Sequence, residues 1–305
     1  MSLSRRYHVC AVVVTYNPDL DRLMRVLDSL APQTSSIVVV DNGSRNNAQL
    51  HLMALEREDI DVVDLAENLG IGAALNRGVT RALSGAPDWI LTMDQDTLVD
   101  EGAIDEILTS YEALPAKYRE EVGVVAMRAH TQPSGIWLTR YADRLLTGST
   151  VGQFIERKGV ITSGNLVRAT VASRIKYSET LFIDQVDFDF CFAVRADGWR
   201  VIQQNRFSMD HILGERYHDI DKDHPYENAQ RVYYIVRNST VLVLRRRLLV
   251  RFYFVQLVVF CGAFVSMNGV RSLPLCCRVL LRGVVDALTR RMGRREYPFL
   301  SRGRR

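Results

Sequence analysis

The sequence predicts an α/β fold: a doubly wound, mostly parallel sheet over residues 1–215, then a basic, amphipathic helical region over 216–305. Three observations point there. Continuous apolar runs such as Val9–Val14 and Ile37–Val40 suit strands buried on both faces of a parallel sheet. Helical patterns separate these runs, so strands and helices alternate. After about Pro225 the alternation stops and three long helical patterns follow.

Val9–Val14 breaks at Tyr16-Asn17-Pro18, and Asp19–Leu30 then carries Leu20, Leu23, Leu27 and Leu30 at helical spacing. Ile37–Val40 ends at Asp41-Asn42-Gly43, before a helix over roughly Asn47–Glu58. Asp61–Leu65 reads as a weaker strand, Ile71–Leu83 as a helix, and Trp89–Met93 as a strand ending at Asp94-Gln95-Asp96. Helix, strand and helix continue through Val125. The stretch from Ala129 to Gly159 is rich in Gly, Pro and Ser and reads as loops over the sheet edge. Val160–Ile161 reads as a short strand and Val186–Gly198 as a helix. Glu227–Leu244, Phe252–Val270 and Pro274–Met292 are the three late helical patterns. In open α/β sheets ligands bind beyond the carboxyl ends of the strands. The polar clusters at Thr15, Asp41 and Asp94 sit at those ends.

The 305 residues are 47% hydrophobic and 24% charged, enough for a sizeable core in one large domain with an appendage. Five cysteines without a CxxC pair indicate a reduced, intracellular protein rather than a disulfide scaffold. The polar start and the shortness of Val9–Val14 predict no signal peptide. From Arg245 onward, fourteen arginines face only Asp286 and Glu296. Such a tail predicts a polyanionic partner, either membrane lipid or nucleic acid.

The residues able to do chemistry cluster in five places. Asp94-Gln95-Asp96 leaves a strand with two carboxylates one residue apart. They can address one Mg²⁺ or Mn²⁺ shared with substrate phosphates, although the pattern alone is equally a solvated turn. Thr15, Asn17 and Asp41 end two neighbouring strands; Asp41 in Asp-Asn-Gly also suits a turn. Asn68-Leu69-Gly70-Ile71-Gly72 opens a helix where close backbone approach would admit a phosphate or sugar, with Asn76 one turn on. Asp184, Asp187 and Asp189 sit among aliphatic and aromatic residues, surroundings that raise a carboxylate pKa toward general-base work. On a helix Asp184 and Asp187 would share a face; acids collecting at a helix N-terminus are the alternative. His211 could add a metal ligand.

The order Thr-Tyr-Asn, Val-Asp-Asn-Gly-Ser, Asn-Leu-Gly-Ile-Gly, Asp-Gln-Asp and Phe-Ile-Asp-x-Val-Asp-x-Asp-Phe resembles family 2 glycosyltransferases with the GT-A fold. The nearest subgroup is bacterial rhamnosyltransferase-like, and the resemblance runs from about Val9 to Gly214. It implies that Thr15 and Asp41 hold the base and ribose of a nucleotide-diphosphate sugar, with Asn17, Gly70 and Gln95 lining the same pocket. It implies that Asn68 and Asn76 lie along the donor, that Asp94 contacts ribose or metal, and that Asp96 and His211 ligate Mg²⁺ or Mn²⁺. Asp187 would be the catalytic base. Val186 departs from the family's paired acids and leaves Asp184 as the other candidate. Gly164 and Asn165 would sit near the acceptor. The implied reaction is inverting transfer of L-rhamnose from dTDP-L-rhamnose to a lipid-linked glycan. UDP-hexose or UDP-galactofuranose is the other donor, and a nucleotidyltransferase or a non-catalytic scaffold the reading outside this class.

Phe252–Val270 holds 19 uncharged residues between Arg251 and Arg271, close to the length of a spanning helix. Leu275, Val279, Val284 and Leu288 against Arg278, Arg282, Arg290 and Arg291 make a basic amphipathic helix of the kind that lies in an anionic interface. Peripheral, monotopic attachment to the cytoplasmic face of the inner membrane is therefore expected over spanning. The same helices could pack on the catalytic domain or on a second subunit, so a homo-oligomer stays open. Nucleic acid is not expected, because no recognition motif accompanies the charge.

Overall fold

The computed structural model describes residues 7–55, 57–130, 137–206, 208–210 and 228–300. Valine and isoleucine are stiff at χ1 and fit a pleated surface, and they build β1 (Val9–Thr15), β2 (Ser36–Asp41), β3 (Ile60–Asp64) and β4 (Trp89–Asp94). These four strands are parallel. They are linked by α1 (Leu20–Leu30), α2 (Asn47–Leu55) and α3 (Ile71–Leu83). Asp19 caps α1 by accepting from the Arg22 N–H at 3.0 Å. Next come β5 (Leu98–Val99), α4 (Ala103–Glu112), α5 (Ala116–Glu120), β6 (Val122–Ala126), α6 (Trp137–Leu146), β7 (Thr147–Val151) and β8 (Phe154–Arg157). Then follow β9 (Asn165–Arg168), α7 (Ala169–Arg174), α8 (Val186–Ala196), β10 (Arg200–Gln204) and β11 (Met209–Asp210).

The nine-stranded sheet has the order β3-β2-β1-β4-β9-β6-β10-β8-β7. Only β8 and β9 run against the rest. Successive side chains of a strand point to opposite faces. Val9, Ala11 and Val13 accordingly pack with Leu23, Leu27 and Leu30 of α1, whereas Cys10, Val12 and Val14 pack with Ala74 and Leu75 of α3 and Phe190 of α8. The connections diverge to either side of the β1–β4 pair, which opens a crevice at the carboxyl ends of these strands. Their register sets Val14 beside Asp94 and Thr15 beside Asp41.

Two expectations are corrected. The 129–159 stretch contains a helix, α6, and the β7–β8 hairpin, which extends the sheet edge through β10. Val160–Ile161 is not a strand. Thr162-Ser163-Gly164 bends there, with the Gly164 N–H donating to the Thr92 carbonyl at 2.9 Å, and the strand begins at Asn165. It enters between β4 and β6, where two parallel strands leave room for one reversed strand.

The predicted boundary at 215/216 lies outside the described residues. Beyond it stand α9 (Ala229–Leu244), α10 (Val250–Asn268) and α11 (Leu273–Leu288). Residues 232–242 of α9 are all buried, and a helix buried all round needs cover on every side. Helix α11 provides much of it, through Cys276, Val279, Gly283, Asp286 and Ala287. A Cβ on Gly283 would lie 2.8 Å from Val236 Cγ1, so the small residue permits the close approach. The amphipathic reading of this helix is therefore corrected. Val279 is fully buried, Leu275 and Val284 flank the same cluster, and Arg282 pairs with buried Asp286 at 3.1 Å. Of the expected stripe only Leu288 is exposed, together with Leu273 and Leu281 on α11 and Val250, Phe254 and Val258 on α10.

Helix α3 touches the sheet at Gly78. A Cβ there would come within 2.7 Å of Val40 Cγ2 and closer still to Val12 Cγ1. Alanine gains about 1 kcal/mol of helix propensity over glycine, but overpacking costs about 1–3 kcal/mol, and both neighbours are stiff valines. Gly78→Ala should therefore lower the urea midpoint at unchanged m-value. A raised midpoint would contradict this packing.

Candidate active site

Three polar clusters meet at the crevice. Thr15 and Asp41 are fully buried. The Thr15 hydroxyl donates to the Val40 carbonyl at 3.3 Å, and Asp41 Oδ2 accepts the Ser44 N–H at 3.0 Å. Asp41 thus closes its own turn, one of the two roles expected for it. Asn17, at φ 46°, accepts the Arg45 N–H on Oδ1 at 2.9 Å and ties the first loop to the second.

The Asp94–Asp96 turn is held from both sides. Gln95 Oε1 accepts the Tyr16 N–H at 2.8 Å, so this side chain is a latch between loops. Arg22 donates from Nε at 3.0 Å and from Nη2 at 2.6 Å to the Asp96 carbonyl, and the Ser163 hydroxyl accepts the Asp94 N–H at 3.1 Å. The two carboxylates remain half-buried on a fixed backbone. Mg²⁺ is typically bound by one or two carboxylates together with substrate phosphates, so a pair of hard oxygen donors on a fixed turn fits it. Among the described residues no group of three or more His, Cys, Asp and Glu could hold a metal alone. The β5–β11 pairing sets Asp210 opposite Leu98, just past Asp96. His211, the expected third ligand, lies outside the described residues.

The glycine segment behaves differently from expectation. A Cβ on Gly72 would strike the Ser178 carbonyl, one on Gly70 the Phe182 carbonyl, and the Ile71 N–H donates to Phe182 O at 2.8 Å. The close approach that these glycines allow is made by the chain's own backbone, not left for a phosphate. Asn76 is also turned inward: its amide donates to Tyr177 O and Glu179 Oε1, both at 3.0 Å, and accepts the Tyr177 N–H. Asn68 Oδ1 accepts from Gly70 N and Asn42 Nδ2 and shapes the loop. Asn165 is buried within β9 with its amide on Ile161 O at 2.7 Å, and Gly164 packs against Met209. Neither faces outward as an acceptor contact would.

The acidic motif forms the opposite wall. Helix α8 begins at Val186, so Asp184 lies outside it, and the two acids do not share a helical face. A turn joins them instead, with Phe182, Asp184 and Gln185 at φ 67°, 62° and 65°. Burial pushes the Asp187 carboxyl up to about 7, with the charges of Asp184 and Asp94 adding to the rise and the Phe188 N–H opposing it. Burial raises Asp184 too, against the Arg231 guanidinium at 3.2 Å. Asp184 Oδ2 and Gln185 Oε1 are buried without a hydrogen-bond partner among the described residues. Asp189 instead pairs with Arg247 at 2.8 Å.

Three residues escaped the sequence reading. Asn238 Nδ2 donates to the carbonyls of Leu181, Ile183 and Asp184 at 2.9, 2.8 and 2.9 Å. Arg237 donates to Leu181 O at 2.8 Å, and Arg231 faces Asp184. A charged and an amide residue at positions 237–238, directly after the apolar run 232–236, were the available signal.

A family model described as Glycosyl transferase family 2 matches residues 10–119. The dTDP-rhamnosyl transferase RfbF of Shigella flexneri is 29% identical over 239 residues, covering 77% of this chain and 80% of that protein. Hyaluronan synthase of Streptococcus pyogenes is 34% identical over 116 residues, but only 27% of its length is matched. Among solved structures, S. aureus TarS 1-349 is similar at a TM-score of 0.56 and 14% identity, over 93% of this chain and 82% of that one. GalNAc-T7 with UDP, GalNAc and Mn²⁺ is similar at a TM-score of 0.54 and 14% identity, over 79% and 50%. At such identity the structural likeness concerns the fold.

The wall of acids has a measurable signature. Carboxyl NMR titration should place the Asp187 midpoint near 7. Asp184→Asn should lower it only in part, because burial is the larger cause and persists. A midpoint in the ordinary aspartate range would contradict the buried site.

Proposed function

We propose that this chain, a glycosyltransferase with a family 2 domain on the GT-A fold, is an inverting, metal-dependent rhamnosyltransferase. It moves L-rhamnose from dTDP-L-rhamnose to a lipid-linked or polysaccharide acceptor. One arrangement carries the reading: half-buried Asp187, its carboxyl pushed up to about 7 by desolvation, faces the charge of Asp94 across the crevice at the β1–β4 switch point. The relative from Shigella flexneri, matched over 80% of its length, supports the donor. Thr15, Asn17 and Asp41 shape the side on which the nucleotide would lie, and Asn68 the loop beside it.

The chemistry follows from the two walls. Asp96, with Asp94 and His211, would hold Mg²⁺ or Mn²⁺, which neutralises charge on the departing diphosphate. Asp187 takes the proton of the acceptor hydroxyl as that oxygen bonds the anomeric carbon. The bond from that carbon to the diphosphate oxygen breaks on the opposite face, which inverts the centre. A base near pKa 7 is ionised enough to act and basic enough to accept.

Membrane attachment at the cytoplasmic face is part of the proposal. Among the described residues one helix, Val250–Asn268, is long and apolar enough to cross a membrane. It packs along α6 and α9, burying Phe252, Gln256 and Phe264, which favours a surface position. Its exposed Val250, Phe254 and Val258 stand near exposed Arg245, Arg246 and Arg251 in sequence, an arrangement suited to anionic lipid.

Asp187→Asn should keep donor binding and lose about 10²–10⁴-fold in transfer rate. In the wild type kcat/KM should fall as pH drops below about 7, because protonated Asp187 cannot accept a proton. A screen of dTDP-L-rhamnose against UDP sugars tests the donor, and full activity in excess EDTA would refute the metal. For the membrane, co-sedimentation should favour anionic over neutral vesicles and weaken with salt. Each engaged arginine contributes about 1 kcal/mol, so Arg245→Gln with Arg246→Gln should weaken binding while Phe254→Ser removes apolar contact. Equal binding to neutral vesicles would leave these helices as packing elements only.

A further inference from the structure

We infer that Arg237 and Asn238 of α9 are positioning residues for the transfer reaction, clamping the 181–184 turn so that Asp187 faces the reacting hydroxyl; this rests on the assignment of Asp187 as base. The turn is unusual in its backbone. Phe182, Asp184 and Gln185 all adopt positive φ, a region costing non-glycine residues about 1–3 kcal/mol each unless the surroundings over-determine it. Its own short-range hydrogen bonds do not account for that. Its carbonyls look outward, and every one is met by a donor from a distant part of the chain. Asn238 serves Leu181, Ile183 and Asp184; Arg237 also serves Leu181; the Ile71 N–H at the start of α3 serves Phe182.

The clamp is itself oriented. Arg237 Nε donates to Asn238 Oδ1 at 2.9 Å, which fixes the amide with its nitrogen toward the three carbonyls. Arg237 is fully buried, donates to Gly293 O at 2.7 Å, and lies over the rings of Tyr234 and Tyr233 at 4.8 and 5.7 Å. Gly293 in turn donates to Thr180 O at 2.8 Å. A buried guanidinium and amide directed at backbone carbonyls would be a costly way to fill a core that apolar side chains could fill. Their geometry is explained by the turn they hold. Four segments distant in sequence, around residues 71, 181–184, 237–238 and 293, converge there. The turn runs directly into α8, whose second residue is Asp187.

The test compares Asn238→Ala and Asn238→Asp with Ser239→Ala in the full chain. Ser239 is also buried on α9 but bonds Gln256 of α10, away from the turn. A displacement of about 1 Å at the reacting groups can cost roughly 10²-fold in rate. Both Asn238 variants should lose about 10²-fold in kcat with the donor KM held, while Ser239→Ala keeps wild-type kcat. Asn238→Asp should fail like Ala, because a carboxylate offers the three carbonyls no donor. Hydrogen exchange, read without turnover, should rise in the peptide spanning 181–190 for the Asn238 variants alone, with α9 itself still protected. Wild-type kcat and unchanged exchange in Asn238→Ala would overturn the clamp. So would a loss matched by Ser239→Ala, or by global exchange, since that is general loosening. Should Asp187→Asn retain full activity, the base assignment fails, whereas the exchange result still reports whether the turn is clamped.

Discussion

Backbone carbonyls without a donor are costly, and those of Phe182, Ile183 and Asp184 in the 181–184 turn find theirs only outside it. The chain meets this with donors from α9 and from the first N–H of α3. That arrangement constrains much else. It draws α3 against the 178–182 segment, which is why Gly70 and Gly72 can carry no side chain. It also requires α9 to be buried, and a buried α9 requires α11 as its cover. The C-terminal helices are therefore bound into the construction of the acidic wall. The raised carboxyls are a result of the same enclosure, because burial is the leading cause of the rise at both Asp184 and Asp187.

The crevice has two walls of different origin. One is the switch point of the parallel sheet, where β1 and β4 end side by side and hydrogen bonds from Tyr16, Arg22 and Ser163 fix the Asp94–Asp96 turn. The other is the α8 entrance, supported from α9. Division of labour follows from this: the sheet side presents hard oxygen donors, and the α8 side presents an enclosed carboxylate. Because α9 leads into α10, the exposed apolar residues of α10 belong to the body that supports the turn before Asp187. Under the proposed surface attachment, the site and the membrane plane are then held in one fixed relation.

Much was legible in the residues themselves. Apolar runs of period-independent burial marked β1, β2 and β4, and leucine spacing marked α1, since burial on both faces leaves no choice of residue type. The rim positions of Thr15, Asp41 and Asp94 followed from those strands. Strand β9 was not legible: Asn165-Leu166-Val167-Arg168 has only two apolar residues, and a strand inserted between two others is defined by partners far away in sequence. The β7–β8 hairpin, Thr-Gly-Ser-Thr-Val and Phe-Ile-Glu-Arg, sits at an edge where polar residues are tolerated, so its composition resembled a loop.

The sequence by itself determined the α/β class, the alternation that places polar residues at strand ends, and the carboxylate chemistry available there, because each depends on local pattern and residue type. Only the tertiary structure decided which residues spend their polar atoms on the protein. Asn76, Gln95, Gly70 and Asn165 look like ligand contacts in a motif, yet hold loops once partners arrive from remote segments. Leu275, Val279 and Val284 of the last helix likewise read as part of a lipid-facing stripe, until α9 proves to need them as cover. The physical reason is common to these cases: a side chain's pattern fixes what it can bond or bury, and the fold alone fixes what lies within reach.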